Sequence, residues 1–70
     1  MVLVTVKKDS QKQITVIVSG AVYRTKSIVI FEDGYKVYDD ENLPRILLYD
    51  VKKVRLDWEG DGLVLHIRLE

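Results

Sequence analysis

The sequence has no cysteine, a single proline and a single histidine, and its eleven basic residues are matched by eleven acidic ones. Without cysteine there is no disulfide framework and no thiolate metal site. No apolar run approaches the roughly 20 residues of a membrane-spanning helix, and no signal-peptide pattern is present. The expectation is a cytoplasmic chain with no membrane partner. Zero net charge argues against a general nucleic-acid binder, though a local basic patch remains compatible with it. The length, 70 residues, leaves room for one domain spanning 1–70. Ordering a chain of this size costs on the order of 100 kcal/mol, which one small core barely offsets. Lacking disulfides, the chain needs an unusually rich core or further burial against a partner.

What is present is period-2 alternation. Val2, Val4 and Val6 alternate with Leu3, Thr5 and Lys7, and Ile14, Val16 and Val18 with Thr15, Ile17 and Ser19. The polar stretch Asp9-Ser10-Gln11-Lys12 reads as the loop between these strands. Gly20 marks a bulge or tight bend, after which Val22 to Lys26 continues the strand. Ser27 to Phe31 is β-branched and aromatic, and Asp33-Gly34 is the strongest hairpin signal in the chain, returning it through Tyr35 to Asp39. Asp40 to Pro44 is a loop, Arg45 to Tyr49 a strand, and Asp50-Val51-Lys52-Lys53 reads as one turn of helix. Val54 to Glu59 and Leu63 to Glu70 form a final hairpin across Gly60-Asp61-Gly62. The expected fold is all-β: a strongly bent antiparallel meander or small barrel of SH3-like or Sm-like size, with five to seven short strands and no substantial helix. Pairing the first strand with the last would close it and remove its edges.

Apolar residues exceed what one face needs. An inward face collects Val2, Val4, Val6, Ile14, Val16, Val18, Ile28, Ile30, Val37, Ile46, Leu48, Val54, Leu56, Trp58, Leu63, Leu65, Ile67 and Leu69. The opposite parity still holds Leu3, Ile17, Val29, Phe31, Tyr38, Leu47, Tyr49 and Val64. A half-buried strand of a monomer is polar on that side. Either bends switch the parity so that both sets reach one core, or the second set is a contact surface. The size argument favours contact, with Val29, Phe31, Tyr38, Leu47 and Tyr49 as the interface and a second copy or another protein as the partner.

Catalytic chemistry is nearly absent. A nucleophile needs a base beside it, and the serines at 10, 19 and 27 have no nearby histidine in sequence. His66 falls on the outward parity of the last strand. Gly-rich phosphate loops are missing. Asp57, Glu59 and Asp61, followed by Gly62, reproduce the opening spacing of a calcium loop, but the twelfth position is Arg68 rather than glutamate and the flanks are strands. No catalytic residue, cofactor or metal is assigned.

Net zero conceals blocks of alternating sign: +4 over residues 1–30, −4 over 31–41, +3 over 42–55 and −3 over 56–70. Such blocks suit cross-strand ion pairing or head-to-tail self-association. An alternative reading is single-stranded nucleic-acid binding, with bases stacked on aromatics interleaved with basic residues: Tyr23, Arg24, Lys26, Tyr35 and Lys36. The Sm-type pattern of a strand glycine with spaced aspartate and asparagine is not matched around Gly20.

The segment from Ser27 to Val54 (strand, Glu-Asp-Gly turn, strand, loop, strand, Asp-Val-Lys-Lys-Val) resembles the middle of PH-like and GRAM-like domains. Those domains are longer and end in a helix that plugs the barrel, whereas this sequence reaches Glu70 in a strand, so no phospholipid site is carried over. The compact all-β pattern also resembles small phage or mobile-element proteins. The reading reached from the residues is a non-enzymatic protein-contact or assembly module, homo-oligomeric, with nucleic-acid binding as the alternative.

Overall fold

A computed structural model describes residues 1–70 as eight strands and no helix: β1 (Val2–Lys8), β2 (Ile14–Val18), β3 (Ala21–Thr25), β4 (Ile28–Glu32), β5 (Tyr35–Tyr38), β6 (Ile46–Val51), β7 (Lys53–Glu59) and β8 (Gly62–Arg68). The all-β expectation holds, but the strands do not close into a barrel. They form two open four-stranded sheets, here A and B, ordered β3-β2-β1-β6 and β5-β4-β8-β7. The first strand pairs with β2 and β6, not with the last. The antiparallel pairing has one exception, since β4 lies parallel to β8 in the middle of sheet B. The connection between them runs through β6, which crosses to sheet A, so the segment 27–54 is divided between the sheets.

Turn chemistry explains the hairpins. Ser19-Gly20 and Asp33-Gly34 both take positive φ (47° and 89°, 50° and 88°), the requirement of two-residue type I′ turns. Gly20 is therefore not a bend within one strand; it reverses the chain and makes β3 a separate strand. At the last hairpin only Gly60 has positive φ, 62°. The expected helical turn at 50–53 is absent. Val51 is fully buried as the last residue of β6, and the Lys52 N–H donates to the Arg68 carbonyl at 2.9 Å, so the chain passes into β7 through a bend at the single residue Lys52.

The core lies between the sheets. Val4, Val6, Ile14, Val16 and Val51 of sheet A meet Ile28, Ile30, Leu63, Leu65 and Ile67 of sheet B, and Leu43 plugs the group from the 39–45 loop. That loop is tied by side-chain hydrogen bonds to its neighbours. Asp40 accepts from the Ile28 N–H at 2.7 Å and the Ser27 hydroxyl at 3.0 Å, and the Lys8 ammonium donates to the Leu43 carbonyl at 2.7 Å. Across the interior, the Tyr49 hydroxyl on β6 donates to the Glu32 carboxylate on β4 at 2.7 Å, joining the sheets.

Most of the inward set is where alternation puts it, with β6 the main exception. Its odd residues Leu47, Tyr49 and Val51 face the core, while Ile46 and Leu48, expected inside, are exposed. Trp58 and Leu69, also expected inside, are exposed where β7 and β8 run out. No helix is long and apolar enough to cross a membrane.

Candidate interaction surfaces

Each sheet has one outer face, and strand register shows which side chains share it. On sheet A, Leu48 of β6 sits beside Thr5 of β1, Thr5 beside Ile17 of β2, and Ile17 beside Val22 of β3. This row crosses all four strands. On one side of it lies the row Ile46, Lys7, Thr15 and Arg24, and on the other Leu3 beside Asp50. Nothing in the chain covers this face: Leu48 is 73% exposed, Leu3 67%, Val22 55% and Ile46 53%. An apolar band of this kind, rimmed by charge, is the usual form of a protein-contact surface.

The outer face of sheet B differs. Lys36 of β5, Phe31 of β4, His66 of β8 and Arg55 of β7 lie side by side in register. The Phe31 and His66 rings stack, with centroids 5.1 Å apart and planes 13° from parallel. Beyond them Lys53 neighbours Arg68. An open groove of about 400 Å³ runs between these rows, lined by the two rings, Lys53, Arg55 and Arg68 among others. Its cations have acidic neighbours: Asp57 is 3.4 Å from Arg55 and 3.5 Å from His66, and Asp33 is 3.6 Å from Arg68. All three contacts are solvent-exposed and long, so they contribute little energy. On the same face Val29 and Val64 form an apolar pair, with Val64 nearly buried between Val29 and Asp57.

The five residues expected at an interface do not share a surface. Val29 and Phe31 lie on the outer face of sheet B, half-buried by their neighbours. Tyr38, Leu47 and Tyr49 pack against the core. The residues of the nucleic-acid alternative also disperse. Tyr23 packs on the core side of β3, Arg24 is on the outer face of sheet A, Lys26 follows β3 at the corner, and Tyr35 and Lys36 open β5. Of these only Lys36 joins the ring-and-cation row of sheet B. The calcium-like spacing folds into no converging carboxylate group; Asp57 is engaged by Arg55 and His66 instead.

Sequence reasoning missed the outer face of sheet A because it placed Ile46 and Leu48 inside. A signal was available: Asp50 has their parity, and a carboxylate on that side marks it as the wet one. Comparison with protein-family models, curated proteins and solved structures finds no match to this chain.

Proposed function

We propose that this protein is a non-enzymatic protein-contact module that assembles with copies of itself through sheet A, whose apolar outer side chains are uncovered. The observation that carries the reading is the uncovered row Leu48, Thr5, Ile17 and Val22 with Leu3 and Ile46 beside it. Covering such side chains is favourable by roughly 25 cal/mol for each Å² of apolar surface removed from water. The face is also self-complementary in charge. Lys7 and Arg24 flank the band on one side and Asp50 on the other, so a two-fold rotation brings unlike charges together.

Light scattering on the native chain and on Leu48→Glu tests this. The native chain is expected to gain mass with concentration, and the variant to stay monomeric with an unchanged strand signal in circular dichroism. A native chain that remains monomeric at millimolar concentration would refute the reading.

A second reading is favoured by the stacked Phe31 and His66 rings with Lys36, Arg55, Lys53 and Arg68 around them. Rings flanked by cations on an open sheet face suit stacking of single-stranded bases. Anisotropy with a labelled oligonucleotide at low salt is expected to show binding that weakens with added salt and with Phe31→Ala. The absence of any low-salt signal would rule it out.

A further inference from the structure

We infer that the β6 edge is the seam of self-association: β6 pairs antiparallel with β6 of a second copy about a two-fold axis at Leu48, giving one continuous eight-stranded sheet. This rests on the self-association reading above and specifies how the copies meet. The backbone supplies the first argument. Arg45 precedes β6 and its carbonyl accepts from the Lys8 N–H of β1 at 2.9 Å, so the odd-numbered groups of this strand point at β1. Backbone groups alternate in direction along a strand. The N–H and C=O groups of Ile46, Leu48 and Asp50 therefore point away from the sheet, and no strand pairs with β6 on that side. A free row of alternate donors and acceptors specifies its occupant as another strand.

The second argument compares the four edges. β7 carries Lys53, Arg55, Asp57 and Glu59 at alternate positions, a charged edge of the kind that repels a neighbour. β5 is four residues long and its pairing with β4 is broken by a register shift. β3 is short and carries Arg24. Only β6 offers an uncharged run, Ile46-Leu47-Leu48-Tyr49, in regular register with its neighbour and with no bulge.

Symmetry supplies the occupant. Antiparallel pairing centred on Leu48 sets Leu48 against its own copy and Ile46 against Asp50 of the other chain. It matches outward-pointing backbone groups with outward-pointing groups at all three positions. Lys7, which neighbours Ile46 on the outer face, then lies two strands from Asp50 of the second copy, within reach of a long side chain, and the contact occurs twice. The row Val22, Ile17, Thr5 and Leu48 runs on into its copy across the seam, where Ile46 and Leu48 gain a neighbouring strand while Leu3, Ile17 and Val22 stay open.

Spin labels locate the seam. The chain has no cysteine, so Leu48→Cys and Val22→Cys each carry one label at an exposed site. Strands in a sheet are about 4.8 Å apart, which places the two Val22 labels seven spacings, roughly 34 Å, from each other. Pulsed EPR is expected to return that distance, and the Leu48 labels are expected to broaden each other's spectrum by close contact. A dimer whose Val22 labels lie within about 20 Å, the range for two sheets stacked face to face about 10 Å apart, overturns the β6 seam and leaves self-association intact. A chain that is monomeric by light scattering in the same samples overturns both.

Discussion

Replacing Tyr49 with phenylalanine removes one oxygen and, with it, a polar link between the sheets. The Tyr49 hydroxyl donates to Glu32 at 2.7 Å, and both residues are partly buried. Hydrogen bonds to charged groups contribute about 1.5–3 kcal/mol net. Here water reaches the carboxylate once the hydroxyl is gone, so the lower end applies, about 1.5 kcal/mol. For a domain of this size that lowers Tm by roughly 6–12 °C. The ring itself stays, so packing against the core is retained and the loss reports the bond alone.

The same pair has a pH signature. Burial first, then the hydrogen bond to Glu32 and the charges of Glu32 and Tyr38, hold the Tyr49 phenol well above its ordinary pKa of 10.0. The folded state thus keeps this proton when the unfolded state has lost it. Stability from Tyr49 is fully present below pH 10 and falls as pH rises through the window above it, by at most about 1.4 kcal/mol per pH unit. All remaining ionisable groups are common to both proteins. The difference between native chain and Tyr49→Phe in urea unfolding is therefore expected to be constant through neutral pH and to shrink above pH 10. A variant with native stability at neutral pH, or a difference that grows on the alkaline side, would refute the account of this pair.

Leu43→Ala is expected to destabilise the fold by about 2–4 kcal/mol in urea titration, since Leu43 is the loop residue that enters the core and its truncation leaves a cavity. Asp40→Ala leaves the Ile28 N–H without its partner and is expected to cost about 1–2 kcal/mol, with hydrogen exchange at Ile28 rising. Gly34→Val is expected to cost more than 1 kcal/mol despite open space around the position, because φ is 88° there and β-branched residues resist that conformation. Proline separates the two sides of β6: Leu48→Pro is expected to leave the monomer folded, because the lost N–H points to the open edge, whereas Leu47→Pro removes a bond to β1 and is expected to unfold it.

Strands with one polar side were legible from the sequence. Val2, Val4 and Val6, the β2 set and Leu63, Leu65 and Ile67 alternate against neighbours that include Thr5, Lys7, Thr15, Ser19, His66 and Arg68, and all of them reach or touch the core. The Asp33-Gly34 turn was equally plain, because its residue types match the positive φ that the turn requires. Ser19-Gly20 makes the same turn with a serine at φ 47°, a residue that seldom adopts it, and so the β2–β3 hairpin passed for a bend. The parallel pairing of β4 with β8 left no local trace. It joins segments over thirty residues apart, and nothing in either strand distinguishes a parallel neighbour from an antiparallel one.

The β6 error has a different origin, and it bears on the function. Ile46, Leu47, Leu48, Tyr49 and Val51 are apolar on both parities, so alternation alone assigns no side. Three contacts decide it: Val51 fills the core, Tyr49 finds Glu32, and Asp50 stays in water on the face shared with Ile46 and Leu48. Yet a strand apolar on both faces in a two-sheet fold must leave one apolar face uncovered, whichever register it takes. The surplus of apolar side chains was thus visible before its location was. What the structure adds is that the surplus sits beside an edge strand with free backbone groups. A surface that offers both apolar side chains and unpaired donors and acceptors is matched most completely by another β-strand, and a second β6 carries the same pattern.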